Sequence, residues 1–103
     1  NLVIYDIAGQ ELFGYHSIAD NIDICIIVYD LTSKISYKSI IHWKDRVTNI
    51  CGNIPIIVVG NKRDCQDCRI KNKTLEISGK SGENINILFD MINNYEYNYE
   101  FMF

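Results

Sequence analysis

Three short polar clusters carry residue types that chemistry uses: Asp6-Ile7-Ala8-Gly9-Gln10, Asn61-Lys62-Arg63-Asp64 and Ser78-Gly79-Lys80. An aspartate that closes an apolar run, as Asp6 does, suits a magnesium ion held through water, because that cation takes hard oxygen ligands. Gly9 puts no side chain between its backbone N–H and an approaching phosphate. Gln10 both donates and accepts, which fits a residue that orients an attacking water. An ordinary strand-ending aspartate and turn explain the first cluster equally well.

The second cluster is more selective. A carboxylate at Asp64 matches the paired N–H donors on the edge of guanine, which adenine lacks. Asn61 can brace the loop and meet a base acceptor, and the Lys62 stem can cover the flat base. A site that leaves a polar group unpaired with the wrong base rejects it by roughly 10⁴ or more. A charged surface turn is the bland alternative, and the apolar run before Asn61 weighs against it. Ser78-Gly79-Lys80 would add mainly a backbone N–H to the base, and alone it is a commonplace turn.

The elements that must position these clusters alternate. Leu2-Val3-Ile4-Tyr5 reads as a short strand ending at Asp6. Residues 10–21 are irregular and polar. Ile22 to Tyr29 is nearly all apolar, as a strand buried on both faces would be. Ser33 and Ser36 are candidate N-caps of a helix reaching about Cys51, with Ile40, Trp43, Val47 and Ile50 as its apolar stripe. Gly52-Asn53 ends it. Pro55 leads into Ile56-Ile57-Val58-Val59, a second buried strand stopped at Gly60. Residues 61–73 read as loop, Thr74 to Ile77 as one more short strand, and Glu83 to Asn94 as a helix with Ile85, Leu88, Phe89 and Ile92 on one side. Strands alternating with helices predict an α/β fold with a parallel sheet. In such sheets ligands gather beyond the carboxyl ends of the strands, where all three clusters fall.

Composition narrows the classes. The 103 residues are 48% hydrophobic and 22% charged, a globular balance with room for one small domain. A net charge of -3 argues against direct nucleic-acid binding through a basic surface. No apolar run approaches the roughly 20 residues of a membrane span. Four scattered cysteines fit a reducing, intracellular compartment better than a disulfide framework. Cys65-x-x-Cys68 invites a zinc or redox reading, but zinc takes about four ligands at close range, and the expected elements put the remaining cysteines and histidines elsewhere. Two incidental thiols in a loop are the simpler reading. Trp43 reads as a packing residue of its helix, and His42 as a surface histidine.

Taken in order, the clusters resemble those of small GTPases of the Ras superfamily. Asp6-Ile-Ala-Gly-Gln10 is similar to that family's D-T-A-G-Q, Asn61-Lys-Arg-Asp64 to its N-K-x-D and Ser78-Gly-Lys80 to its S-A-K. Gly9-Gln-Glu-Leu-Phe-Gly14, Leu31-Thr-Ser-Lys-Ile-Ser-Tyr-Lys38, Trp43, and Cys51-Gly-Asn-Ile-Pro55 leading into Gly60-Asn-Lys62 resemble the Ran branch. The similarity runs from Leu2 to about Arg69. It implies a P-loop NTPase fold, a small-GTPase G-domain with a mostly parallel sheet and flanking helices. It implies binding of GTP and GDP with Mg2+, and hydrolysis of GTP to GDP as a switch in nucleocytoplasmic transport.

By the same resemblance, Gln10 is the catalytic residue that positions water, and Gly9 contacts the γ-phosphate. Asp6 supports the magnesium ion through water, while Asn61, Lys62, Asp64, Ser78, Gly79 and Lys80 hold the nucleotide. Gly9 to about Asn21 corresponds to switch II. The implied partners are nuclear transport receptors, an exchange factor and a GTPase-activating protein, and the implied location is nucleus and cytoplasm.

The chain departs from the family pattern in several places. It contains no G-x-x-x-x-G-K-[ST] run and no switch I. Residues 1–94 are therefore expected to be a G-domain incomplete at its N-terminus, lacking the strand that leads into the phosphate loop, with 95–103 as a tail. Ile7 stands where threonine is usual and Gly79 where alanine is usual. The interval between Asp64 and Ser78 is short. Phe101-Met-Phe103 is not a prenylation box, so no membrane anchor is expected. A degenerate module that engages GTPase partners through switch II without nucleotide is the alternative function.

Overall fold

A computed structural model describes residues 22–65 and 74–94. The expected strand at Leu2–Tyr5, the first cluster and the tail lie outside the described residues. Strand β1 (Cys25–Asp30) is followed by helices α1 (Lys34–Lys38) and α2 (Ile40–Cys51), strand β2 (Ile56–Asn61), the two-residue strand β3 (Leu75–Glu76) and helix α3 (Ile85–Asn93). The three strands form one parallel sheet in the order β1-β2-β3. This is the α/β fold, with a parallel sheet and flanking helices, that the alternation of elements predicts.

β2 is apolar on successive residues because both of its faces are packed, whereas in β1 the expectation of burial on both faces fails at Val28, which is 56% exposed because no described side chain covers it there. Register pairs Cys25 with Ile56 and Asp30 with Asn61. With side chains alternating every residue, Ile27, Tyr29 and Val58 turn to one face and join Leu31 and Ile40 in a core completed by Tyr37 and Trp43. Ile57 and Val59 turn to the other face and pack with Ile77, Leu88 and Ile92. The first core is tied across the sheet. Tyr29 meets Tyr37 edge-on at 5.3 Å, and its hydroxyl shares a buried hydrogen bond of 2.6 Å with Thr74 Oγ1.

Several boundaries differ from the sequence expectation. The first long strand starts at Cys25 rather than Ile22 and runs on to Asp30. The helix expected from Ser33 to Cys51 is divided at Ser39. Ser33 caps α1 by accepting the Ser36 N–H, whereas Ser36 caps nothing: its single hydroxyl hydrogen is shared between the Ser33 and Asp30 carbonyls, and its oxygen accepts the Asp30 N–H. Gly52 ends α2 at φ 81°, a conformation glycine adopts without steric cost. The last helix begins at Ile85, two residues later than expected. Asn84 before it sits at φ 63°, and its side chain donates to the Glu76 carbonyl instead of capping. Phe89, expected on the packed side, is 38% exposed, while Leu88 and Ile92 are buried. Among the described residues no helix is long and apolar enough to cross a membrane.

Candidate functional site

Two of the three polar clusters come together beyond the carboxyl ends of β2 and β3. Asn61 is the last residue of β2. Beyond it Lys62 turns the chain sharply at φ 73°, a backbone state that costs a side-chain-bearing residue on the order of 1 kcal/mol. The turn is held on several sides. The Leu31 N–H donates to the Asn61 carbonyl at 3.0 Å, the Arg63 N–H to the Ile77 carbonyl at 2.9 Å and the Cys65 N–H to the Lys62 carbonyl at 2.9 Å.

Side chains then join this loop to the turn after β3. The Gly79 N–H donates to Asn61 Oδ1 at 2.9 Å, and the Ser78 hydroxyl donates to Asp64 Oδ1 at 2.7 Å. Ser78 is fully buried, and its oxygen also accepts the Ser81 N–H at 3.0 Å. Its own N–H donates to the Glu83 carbonyl, and its carbonyl accepts the Gly82 N–H. The site residues expected at Asn61, Asp64, Ser78 and Gly79 are thus directly bonded to one another. Lys80 stands exposed on the same turn. The Ser78–Lys80 turn is expected to offer a backbone N–H to a base, and in this structure the Gly79 N–H serves the Asn61 side chain. The reason is proximity, since the end of β2 brings that amide oxygen to the turn. Asp6, Gly9 and Gln10 lie outside the described residues.

Charge at the site is organised by residues that the motifs did not single out. Asp30, the last residue of β1 and the register partner of Asn61, accepts from Lys62 Nζ at 2.8 Å and from the Thr32 N–H and hydroxyl at 2.8 and 2.6 Å. The Lys62 hydrogen bond first, and then those of Thr32, hold its carboxyl at about 2, well below the usual range. Asp30 in turn raises the pKa of Lys62. The register brings Asp30 to the site, because parallel strands that end together set their last residues side by side. Arg63 donates from Nε to Glu83 at 2.9 Å and from Nη1 to Glu76 at 2.7 Å. Nothing local announces those pairs, since the partners are 20 and 13 residues away.

Chemically, the arrangement offers a carboxylate, a carboxamide and a lysine stem on one loop, bonded to a second loop at the same end of a parallel sheet. Such a set reads the edge and face of a planar, polar heterocycle. Among the described residues no group of three or more His, Cys, Asp or Glu is placed to hold a metal ion. Cys65 is a half-buried free thiol, and Cys68 lies outside the described residues.

Comparison with protein families gives a match to the model described as Ras family over residues 1–90, a span that includes all three clusters. This chain belongs to the Ras family. Its α/β sheet with flanking helices is that of the family's P-loop NTPase domain. Binding and hydrolysis of GTP are the general function of the superfamily, as is engagement of exchange factors, activating proteins and effectors.

Proposed function

We propose that this Ras-family chain is a Ran-like small GTPase that binds guanine nucleotide and serves as a switch in nucleocytoplasmic transport. The observation that carries the guanine part is the bonding of Asn61 to Gly79 and of Asp64 to Ser78, which sets the two loops edge to edge. Asp64 accepts the paired N–H donors of the base, with the Ser78 hydroxyl fixing the orientation of its carboxylate. Asn61 and Gly79 border the opposite edge, the Lys62 stem covers the base face, and Lys80 extends the turn. Asp30 holds the Lys62 ammonium at the sheet edge, which directs the stem.

The phosphate end is assigned from the resemblance alone. There Gly9 meets the γ-phosphate, Gln10 orients the hydrolytic water and Asp6 supports the magnesium ion through water. When bound, that ion would neutralise phosphate charge. The reaction is phosphoryl transfer to water, helped by positioning and charge rather than by a covalent intermediate. The Ran branch is supported by the Phe13-Gly14 pair and by Cys51-Gly-Asn-Ile-Pro55. With it come nuclear transport receptors, an exchange factor and a GTPase-activating protein as partners, nucleus and cytoplasm as location, and a domain over residues 1–94 followed by a tail.

The test is a titration of the 103-residue chain with fluorescent GDP and magnesium, with ATP as competitor. Guanine-selective binding that ATP does not displace is expected. Binding that ATP displaces as well as GTP does would refute the assignment of Asp64. A second reading, a nucleotide-free module that engages GTPase partners through residues 9–21, is favoured by the absence of any G-x-x-x-x-G-K-[ST] run from these 103 residues. It predicts no guanine nucleotide binding at all.

A further inference from the structure

We propose that Arg63 is a positioning residue for guanine recognition: clamped between Glu76 and Glu83, it holds the Asn61–Asp64 loop against the Ser78–Lys80 turn. The inference rests on the guanine-site reading and extends it to the one residue of the Asn61–Asp64 cluster to which that reading gives no base contact. Three bonds converge on Arg63 from beyond its own loop. Its N–H donates to the Ile77 carbonyl at 2.9 Å, Nη1 reaches Glu76 in β3 at 2.7 Å, and Nε reaches Glu83 ahead of α3 at 2.9 Å.

These three partners bracket Ser78, Gly79 and Lys80 in sequence, so Arg63 fastens the turn at both of its ends. Within the bracket lie the Gly79–Asn61 and Ser78–Asp64 hydrogen bonds. Both depend on the spacing between loop and turn, and that spacing is what the clamp sets. A guanidinium suits the task because its planar fork presents separate N–H groups in fixed directions, whereas an ammonium would have to serve both carboxylates from a single nitrogen. Each ion pair is exposed, and alone it would contribute little. Acting on one side chain, the two restrict its rotation together and carry the loop with it.

The experiment uses the full 103-residue chain with fluorescent GDP, displaced by unlabelled GDP or by ADP. It compares the parent with R63A, R63K, E76Q/E83Q and R63A/E76Q/E83Q. Expected in R63A is a loss of GDP affinity of about three- to tenfold with ADP binding unchanged, and R63K falls between R63A and the parent. E76Q/E83Q should match R63A, and the triple variant should be no weaker than either, since all remove one shared clamp. Salt at about 1 M should narrow the gap between parent and R63A, because it screens exposed charges.

Amide hydrogen exchange at Gly79 provides a readout that general destabilisation would not single out. It should quicken in R63A while exchange in the β1–β2 ladder stays as in the parent. If R63A does not fold, E76Q/E83Q carries the comparison with the arginine in place. A parent that prefers GDP with an R63A variant that prefers it equally overturns the clamp and leaves the guanine reading standing. Additive losses in the triple variant also overturn it. A parent with no preference between GDP and ADP removes the guanine reading, and the clamp's proposed role falls with it.

Discussion

Replacing Gly60 with alanine should destabilise the fold severely, whereas the same change at Gly79 should not. Gly60 is buried in β2, one residue before Asn61. A Cβ added there would lie 2.6 Å from Leu31 Cδ2, 2.9 Å from Leu31 Cγ and 2.9 Å from Tyr29 Oη. Neither neighbour has room to retreat. Leu31 is 0% exposed and Tyr29 2% exposed, and the Tyr29 hydroxyl is already committed to Thr74. Overpacking of this kind costs about 1–3 kcal/mol, and the fixed neighbours place Gly60→Ala in the upper half of that range.

The consequence reaches the site, because the Gly60 carbonyl accepts the Ile77 N–H at 2.7 Å, immediately before Ser78. At Gly79 a Cβ would approach nothing closer than Asn61 Oδ1 at 3.6 Å, an ordinary contact. Gly79→Ala restores the residue usual in the family's S-A-K and should lie within about 0.5 kcal/mol of the parent. Urea unfolding followed by the fluorescence of Trp43 is the assay. That residue is the single tryptophan of the chain and packs against the cluster containing Leu31 and Tyr29. Equal midpoints for the two variants would refute the packing account of Gly60.

The remaining predictions concern chemistry and pH. Asp64→Asn should change stability little, because the amide oxygen still accepts the Ser78 hydroxyl. Yet it should cost about 10- to 100-fold in preference for GDP over ADP, the worth of hydrogen bonds to a charged group, and competition binding reads the difference. Asp30 is held at about 2 in the folded chain by Lys62 and Thr32, below its unfolded value. The folded state therefore binds protons less readily, and the pair's stabilisation is full above the ordinary carboxylate range and lost as pH falls toward about 2. Urea midpoints of the parent should drop more steeply across that window than those of Asp30→Asn, and parallel slopes would contradict the pairing. In a chain that hydrolyses GTP, Gln10→Leu should slow turnover while leaving nucleotide affinity unchanged. Equal single-turnover rates would remove the role assigned to Gln10.

The core of the fold was legible because its signals are local and continuous. Ile56 to Val59, bounded by Pro55 and Gly60, has no other use than a strand buried on both faces, and β2 forms there. The stripe of Ile40, Trp43, Val47 and Ile50 marked the packed side of α2, where Ile40 and Val47 are buried. The break at Ser39 was not legible, since no proline or glycine interrupts the pattern. It arises where the Ser39 N–H is shared between the Ile35 and Ser36 carbonyls while the Ser39 hydroxyl bonds back to Ile35. α3 starts at Ile85 and not at Glu83 because Asn84, at φ 63°, commits its side chain to the Glu76 carbonyl, a tertiary contact that local sequence does not announce.

At the site, residue types announced Asn61 and Asp64, Ser78 came only with the family resemblance, and the parallel sheet explained why their loops would meet. Their bonds to one another, the Asp30–Lys62 pair and the Arg63 clamp depend on contacts between distant segments. Those became visible only once β1, β2 and β3 were set side by side.

The most direct test of the guanine site is a titration of the 15N-labelled 103-residue chain with GDP and, separately, with ADP. It would follow the Gly79 backbone amide and the Asn61 side-chain amide, which the structure bonds to each other. If the two loops form a guanine site, both signals shift on addition of GDP and stay in place with ADP, and Asp64→Asn abolishes the difference. Equal shifts with the two nucleotides, or shifts confined to residues away from 61–64 and 78–80, would contradict it.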